Sequence, residues 1–320
     1  MRGEVAQRPE GSPVNAGVES VIARIRAVYG RWNRQTTVVQ MRQDWDDLFA
    51  AQTEATVTPV QADTVPCAWV RARGVRLDQA IVYFHGGGFR VGSLRSHHEL
   101  MARLSAAAGV QVLGVEYRLA PEHRYPAPQE DADAALRWLR HQGFEGANLA
   151  LAGDSAGGGL ALSALLAEQE RGVPAPAAAF LMSAWTDLAA TGASYDTRAE
   201  ADPIHQRAMI QAMARGFLGS GTDPREPRAS PLYAAPARLA RLPPLLLQVG
   251  DRETVLSDSE DFVRRVQQAG GAARLQVWPG MIHVFQQFPA ELAEAVQAIE
   301  EGGRFLAGHL RRKTKGETSS

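Results

Sequence analysis

The sequence predicts an α/β protein: a mostly parallel sheet covered by helices on both faces, with a helical cap over one edge. Three observations lead there. Short, continuously apolar runs such as Ala80-Ile81-Val82-Tyr83-Phe84 read as strands buried on both faces. These runs alternate with amphipathic segments of helical period, the rhythm of strand-helix-strand units. One stretch, from about 188 to 233, breaks that rhythm with a single helical run near 203–217 and no clear strand.

Taken in chain order, residues 1–16 read as disordered. Val18, Val21, Ile22, Ile25, Val28 and Tyr29 then recur with helical spacing, and a second short helix is expected at 44–51. Strands are expected at 56–60, 68–71 and 80–84, the last breaking into glycines. Beyond it come a strand at 110–115, a helix at 130–140, a strand at 149–152 and a helix at 159–170. Strands at 177–182 and 245–249, a helix at 257–269, a strand at 274–278 and a closing helix at 290–310 complete the pattern. The expected division is an N-terminal helical cap segment over 1–50, a catalytic domain over 51–310 with its insertion at 188–233, and a polar tail over 311–320. In open parallel sheets ligands bind beyond the carboxyl ends of the strands, so an insertion there can fold over the site as a lid.

Composition excludes several classes of function. The 320 residues are 45% hydrophobic and 22% charged, enough apolar surface for a large core in one domain. A formal net charge of -1 lacks the clustered cations that nucleic-acid binding requires, which favours a small or neutral ligand. The basic run Arg311-Arg312-Lys313 with Lys315 reads as a solvated tail. The single cysteine, Cys67, allows no internal disulfide and reads as a buried, inert thiol. The first thirty residues hold no apolar stretch like that of a signal peptide, and no segment is long enough to span a membrane, so the cytoplasm is the default location.

Gly153-Asp154-Ser155-Ala156-Gly157 fits G-x-S-x-G between a strand and a helix, which makes Ser155 the candidate nucleophile. Lifting a hydroxyl clear of a sheet edge needs a sharp, strained turn at the serine, and side chains at 153 and 157 would collide with neighbouring backbone. The motif alone can occur by chance, so its flanking elements and two further motifs give it weight. His85-Gly86-Gly87-Gly88 follows the 80–84 strand, and glycines let backbone N–H groups approach a tetrahedral oxyanion closely. Gly87 and Gly88 are the candidate oxyanion donors, with Ala156 as the third. His85 is expected to order this loop by hydrogen bonding and not to carry protons.

A serine nucleophile needs a base that titrates near neutral pH, which points to histidine. His97, His98, His123, His141 and His205 lie in polar or helical contexts and read as surface groups, and His309 sits in the terminal helix. Only His283 follows a strand end late in the chain, which makes it the candidate base. The carboxylate that orients it must come from the loop after the 245–249 strand, which offers Asp251, Glu253 and Asp258. Glu253 is preferred; Asp251 takes its place if the turn is tighter, and Asp258 reads as a loop-ordering or dipole-compensating residue. Trp185 is a candidate border of the acyl pocket. Nothing in the sequence calls for a metal or another cofactor.

Together with Tyr117-Arg118-Leu119-Ala120-Pro121-Glu122, Tyr125-Pro126-Ala127 and Ser183-Ala184-Trp185-Thr186-Asp187-Leu188, these motifs resemble the hormone-sensitive-lipase family of α/β-hydrolases, in its bacterial branch with GDSAG at the nucleophile. The resemblance runs from about Ala80 to Phe288. It implies an eight-stranded sheet, a cap made of the N-terminal helices and an inserted segment, no cofactor, and hydrolysis of short-to-medium acyl esters. Glu253 stands where the family usually has aspartate. The resemblance also implies a homodimer through the edge strand at 274–278. The expected reaction is attack by Ser155 on an ester carbonyl with His283 as base, so activity should fall as His283 gains a proton. Amidase or lactonase chemistry with the same residues is an alternative. So is a non-catalytic small-ligand receptor of the plant gibberellin-receptor kind, although such receptors lack the histidine present here.

Overall fold

The computed structural model describes residues 16–311. The expectations for 1–15 and for 312–320, including most of the basic run, lie outside the described residues. Two helices come first, α1 (Ala16–Tyr29) and α2 (Val38–Leu48), then β1 (Thr56–Ala62), β2 (Val65–Arg71) and β3 (Arg76–Phe84). The alternating part follows with α3 (His98–Ala108), β4 (Val110–Val115), α4 (Ala127–His141), β5 (Leu149–Asp154), α5 (Ser155–Glu170) and β6 (Ala179–Met182). Two one-turn helices, α6 (Ser194–Thr197) and later α8 (Pro236–Leu239), flank the longer α7 (Arg207–Leu218). The chain closes with β7 (Leu245–Gly250), α9 (Leu256–Gln268), β8 (Ala273–Trp278) and α10 (Ala293–His309).

The eight strands form one sheet in the order β1-β2-β4-β3-β5-β6-β7-β8. Only β2 runs against its neighbours, and from β4 to β8 every pairing is parallel. The fold class expected from sequence is therefore the one observed. Period-two alternation sorts the side chains of the central strands onto two cores. Ile81, Tyr83, Ala150, Ala152, Phe180 and Met182 face α3 and α10, together with Leu104, Ile299 and Leu306. Val82, Phe84, Leu151 and Leu181 face the other way, toward Leu136, Leu160 and Phe262 of α4, α5 and α9. Each such aliphatic side chain contributes about 1.5–3 kcal/mol on burial, so the sheet is a rigid platform whose carboxyl ends can hold a site under strain.

A third, smaller core explains where α1 goes. Its stripe Val18, Val21, Ile22 and Ile25 packs on Ile282, Phe285 and Phe288, just past the end of β8, and on Leu292, Ala295 and Ala298 toward α10. The helix is thereby fixed over the segment that carries His283. By contrast α2 buries no residue fully. It lies earlier than the expected 44–51, because Thr37 accepts a hydrogen bond from Gln40 N at 3.1 Å and starts the helix at Val38. Helix α3 was not anticipated, although Leu100, Met101, Leu104 and Ala108 repeat with helical spacing and are buried. Cys67 is buried and unpaired, and burial pushes its thiol up to about 12. Among the described residues no helix is long and apolar enough to cross a membrane.

Candidate active site

Strand β5 ends at Asp154 and α5 begins at Ser155 with no connecting loop, so the serine sits on the turn itself with φ +50°. A non-glycine residue there costs on the order of 1–3 kcal/mol, which the packed strand and helix on either side must offset. Gly157 shows why the turn needs its glycines: a Cβ at that position would run into the carbonyl oxygens of Phe84 and His85. The expected start of α5 at 159 was four residues late. Three consecutive glycines, Gly157 to Gly159, are poor helix formers, and tertiary packing overrides that preference here.

The loops after β7 and β8 meet at this turn. His283 Nε2 lies 2.9 Å from Ser155 Oγ, and His283 Nδ1 lies 2.7 Å from Glu253 Oε2. An ionised carboxylate only accepts hydrogen bonds, so Nδ1 carries the proton and Nε2 is left free to accept from the serine hydroxyl. Burial disfavours a charge on His283, but the Glu253 carboxylate outweighs it, helped by Asp202 and Asp154, and the imidazole is held above its ordinary range. Glu253 is fully buried, and its other oxygen accepts from Gly250 N at 2.6 Å and Ser183 Oγ at 2.7 Å.

Ser183, at the end of β6, was not singled out in the sequence. Its Oγ donates to Glu253 and accepts from Val284 N at 3.1 Å, bridging the carboxylate to the residue after His283. Ser183 and Val284 also take positive φ, +48° and +47°, so strain collects where these loops converge. Asp251 is engaged elsewhere: its Oδ1 accepts from Gly280 N at 2.7 Å and closes the turn after β8. Asp258 accepts from Thr186 N and Asp187 N, both at 2.9 Å, and so orders the loop after β6.

Gly87 (φ +111°) and Gly88 (φ +62°) border the same cavity as Ser155 and His283, and Ala156 is buried beside the serine in the first turn of α5. The glycine loop is fixed from below. Asp154 Oδ1 accepts from Gly86 N at 2.9 Å and from Tyr83 Oη at 2.6 Å. His85 stacks on Tyr117 with ring centroids 4.3 Å apart, and its Nδ1 lies 2.8 Å from Gly86 O. Burial, then the nearby His97, pushes His85 down to about 3, so it is a neutral spacer in the loop.

Two histidines read as surface groups are buried. His97 is 1% exposed, lies 3.4 Å from Asp154 Oδ1 and pairs with Ser96 Oγ at 2.9 Å. His205 is 8% exposed and packs against His283. Both stand in polar local sequence, and the groups that cover them include distant ones, Asp154 and Tyr83 beside His97 and His283 beside His205.

The cavity above Ser155 has a volume of about 320 Å³ and a mainly apolar wall. Trp185 borders it, with its Nε1 donating to Asp187 O at 3.2 Å. Met209, Ile210 and Met213 of α7 form one wall, and Tyr29, Trp45 and Phe49 form another. Among the described residues no cluster of three or more potential metal ligands is found.

The geometry is that of a serine hydroxyl raised on the turn between a parallel strand and its helix, with an imidazole and a buried carboxylate in line behind it. A family model for the alpha/beta hydrolase fold matches residues 81–287. An acetyl-hydrolase of Streptomyces hygroscopicus is 44% identical over 239 residues, covering 74% of this chain and 78% of that protein. An esterase of Acinetobacter venetianus is 34% identical over 250 residues, covering 77% of this chain and 82% of that one. Among solved structures, an esterase from the bacterial hormone-sensitive lipase family superposes with a TM-score of 0.87 at 40% identity, over 92% of this chain and 98% of that chain. The chain belongs to the α/β-hydrolases and, within them, to the hormone-sensitive-lipase family.

Proposed function

We propose that this chain is a serine carboxylesterase in which Ser155, His283 and Glu253 act as a triad. The observation that carries the reading is the unbroken line from Ser155 Oγ through both ring nitrogens of His283 to Glu253, at 2.9 and 2.7 Å. Ser155 Oγ attacks the ester carbonyl while its proton passes to His283 Nε2. Backbone N–H groups of Gly87, Gly88 and Ala156 hold the oxyanion, each such donor contributing about 3 kcal/mol to transition-state stabilisation. The imidazolium, steadied by Glu253, protonates the departing alcohol. His283 then takes a proton from water, whose oxygen attacks the acyl carbon; the bond to Ser155 Oγ breaks, His283 returns the proton to Oγ, and the carboxylic acid leaves.

A mainly apolar cavity of about 320 Å³ suits esters with short-to-medium acyl chains, and an acetyl-hydrolase among the relatives fits the lower end of that range. The helices α1 and α2 with the insertion at 188–233 form the cap in this reading. A homodimer through β8 belongs to the same proposal, supported by the position of that half-buried strand at one end of the sheet.

A chain-length panel of alkyl and aryl esters, with lactones and acetamides, tests the assignment on wild type and on Ser155→Ala. Turnover of short and medium esters by the wild type, lost throughout the panel in the variant, is the expected result. Equal turnover in the variant would remove Ser155 from the reaction, and preferential turnover of lactones or acetamides would redirect the substrate class.

A further inference from the structure

A second imidazole stands against the first. His205 comes from the insertion, between α6 and α7, and its ring meets that of His283 with centroids 4.5 Å apart and planes at 85°. It borders the same cavity as Ser155, and its Nδ1 is enclosed without a hydrogen-bond partner.

The segment that delivers this ring is anchored to the acid loop. Asp202 Oδ1 accepts from the backbone N–H of both Ile204 and His205, each at 2.8 Å. Its other oxygen accepts from Thr254 N at 2.7 Å and Thr254 Oγ1 at 3.0 Å. Thr254 follows Glu253, so one carboxylate fixes the insertion to the loop that orients His283. The same carboxylate adds to the negative field that favours a charge on His283.

We propose that His205 is a positioning residue for the reaction, wedging His283 in the orientation that faces Ser155 and shielding its ring from water in the cavity. The proposal rests on the reading of His283 as the base. His205 carries no proton in the step: burial, then repulsion from a charged His283, pushes it down to about 4, below the range in which His283 titrates. The charged and titratable groups acting on His283 are Glu253, Asp202, Asp154 and His205 itself, with the Ser155 hydroxyl as its hydrogen-bond partner. The ring of His205 thus brings the insertion into direct contact with His283.

The test compares His205→Ala with His205→Phe in the full chain, measuring kcat and KM for one soluble ester across pH. Loss of the ring should lower kcat about tenfold with KM within about twofold, since small displacements of a catalytic group reduce rate far more than binding. Water reaching His283 would also remove part of the burial that opposes its charge, so the acid limb of kcat/KM should move to higher pH. Phenylalanine, which keeps a planar ring, should bring both quantities back to within about threefold of wild type. A His205→Ala enzyme with wild-type kcat and acid limb would overturn the proposal. So would a His205→Phe enzyme as impaired as the alanine variant, or a change confined to KM. Thermal melting of each variant separates misfolding from misplacement, and His205→Leu, which fills the space without a planar face, should behave as His205→Ala if that variant fails to fold. Retained turnover in Ser155→Ala would defeat the triad itself, whatever the substitutions at 205 do.

Discussion

The floor of the cavity and its roof are built on opposite principles. On the floor, loops from the carboxyl ends of β3, β5, β6, β7 and β8 converge, with Asp154 and Glu253 each accepting several hydrogen bonds in full burial. Ser155, Ser183 and Val284 hold strained backbone there because the sheet beneath leaves them no alternative. In the roof, α2 buries no residue fully: Ser93 Oγ donates to Asp46, Arg42 donates to Ala120 O and Arg90 O, and the ion pairs of the helix, Arg42 with Glu122 and Asp47 with Arg95, lie at the surface. Such surface pairs contribute little, typically below about 1 kcal/mol. The rings of Tyr29, Trp45 of α2 itself, Phe49 and Phe288 pack in sequence, and all four border the cavity as an aromatic wall. The difference teaches that strained backbone is held where buried carboxylates and the sheet fix it, whereas the wall above is built from side-chain packing.

The sharpest way to break the comparison is at the floor. Ser155→Ala and His283→Ala should each lower kcat by about 10⁴-fold or more, and the double variant should lose little beyond either alone, because members of one proton-transfer chain are not additive. Kinetics on a single aryl ester check this, and additive losses would mean that the two residues do not act as a unit.

Next in size is the acid. Glu253→Gln should cost on the order of 10³–10⁴ in kcat, whereas Asp251→Asn, whose task is to hold Gly280, should stay within about tenfold. Matching losses in the two variants would show that the loop as a whole matters and not the contact with His283. The pH profile sharpens the same point. Glu253 holds the imidazole above its ordinary range, so wild-type kcat/KM should fall as pH drops through a value above that of free histidine. Removing the Glu253 charge should move this acid limb to lower pH, and a shift in the other direction would contradict the assignment.

Roof substitutions should act on binding. Trp45→Ala is expected to change KM and chain-length preference several-fold while kcat for the smallest ester stays within about threefold, since it borders the cavity with its ring against Tyr29 and Phe49. A fall in kcat as large as that at Glu253 would erase the distinction between roof and floor. The smallest effect is expected at Thr37→Ala, which removes the N-cap of α2 and about 1 kcal/mol of local stability. Faster hydrogen exchange in the amides of α2, with those of β3 and β5 unchanged, is the outcome to look for.

What the sequence by itself determined was local. Apolar periodicity placed every strand within a few residues, and G-x-S-x-G, the triple glycine and a late histidine after the last strand marked three contributors to one rim of the sheet. Glycine spacing is readable because it marks a sharp strand-to-helix turn, although what Gly157 makes room for, the carbonyls of Phe84 and His85, lies far away in the chain. Helix α3 carries an equally clear pattern in Leu100, Met101, Leu104 and Ala108. The tertiary structure alone decided which loop carboxylate reaches His283. Asp251 and Glu253 stand two residues apart in the same polar loop, and only the path of the chain past Gly280 and Ser183 gives them different partners. It also decided the burial of His97 and His205, whose surroundings come from residues far away in the chain. Local sequence encodes backbone preference through steric and period effects, whereas burial and hydrogen-bond partners depend on distant segments brought together only when the sheet is assembled.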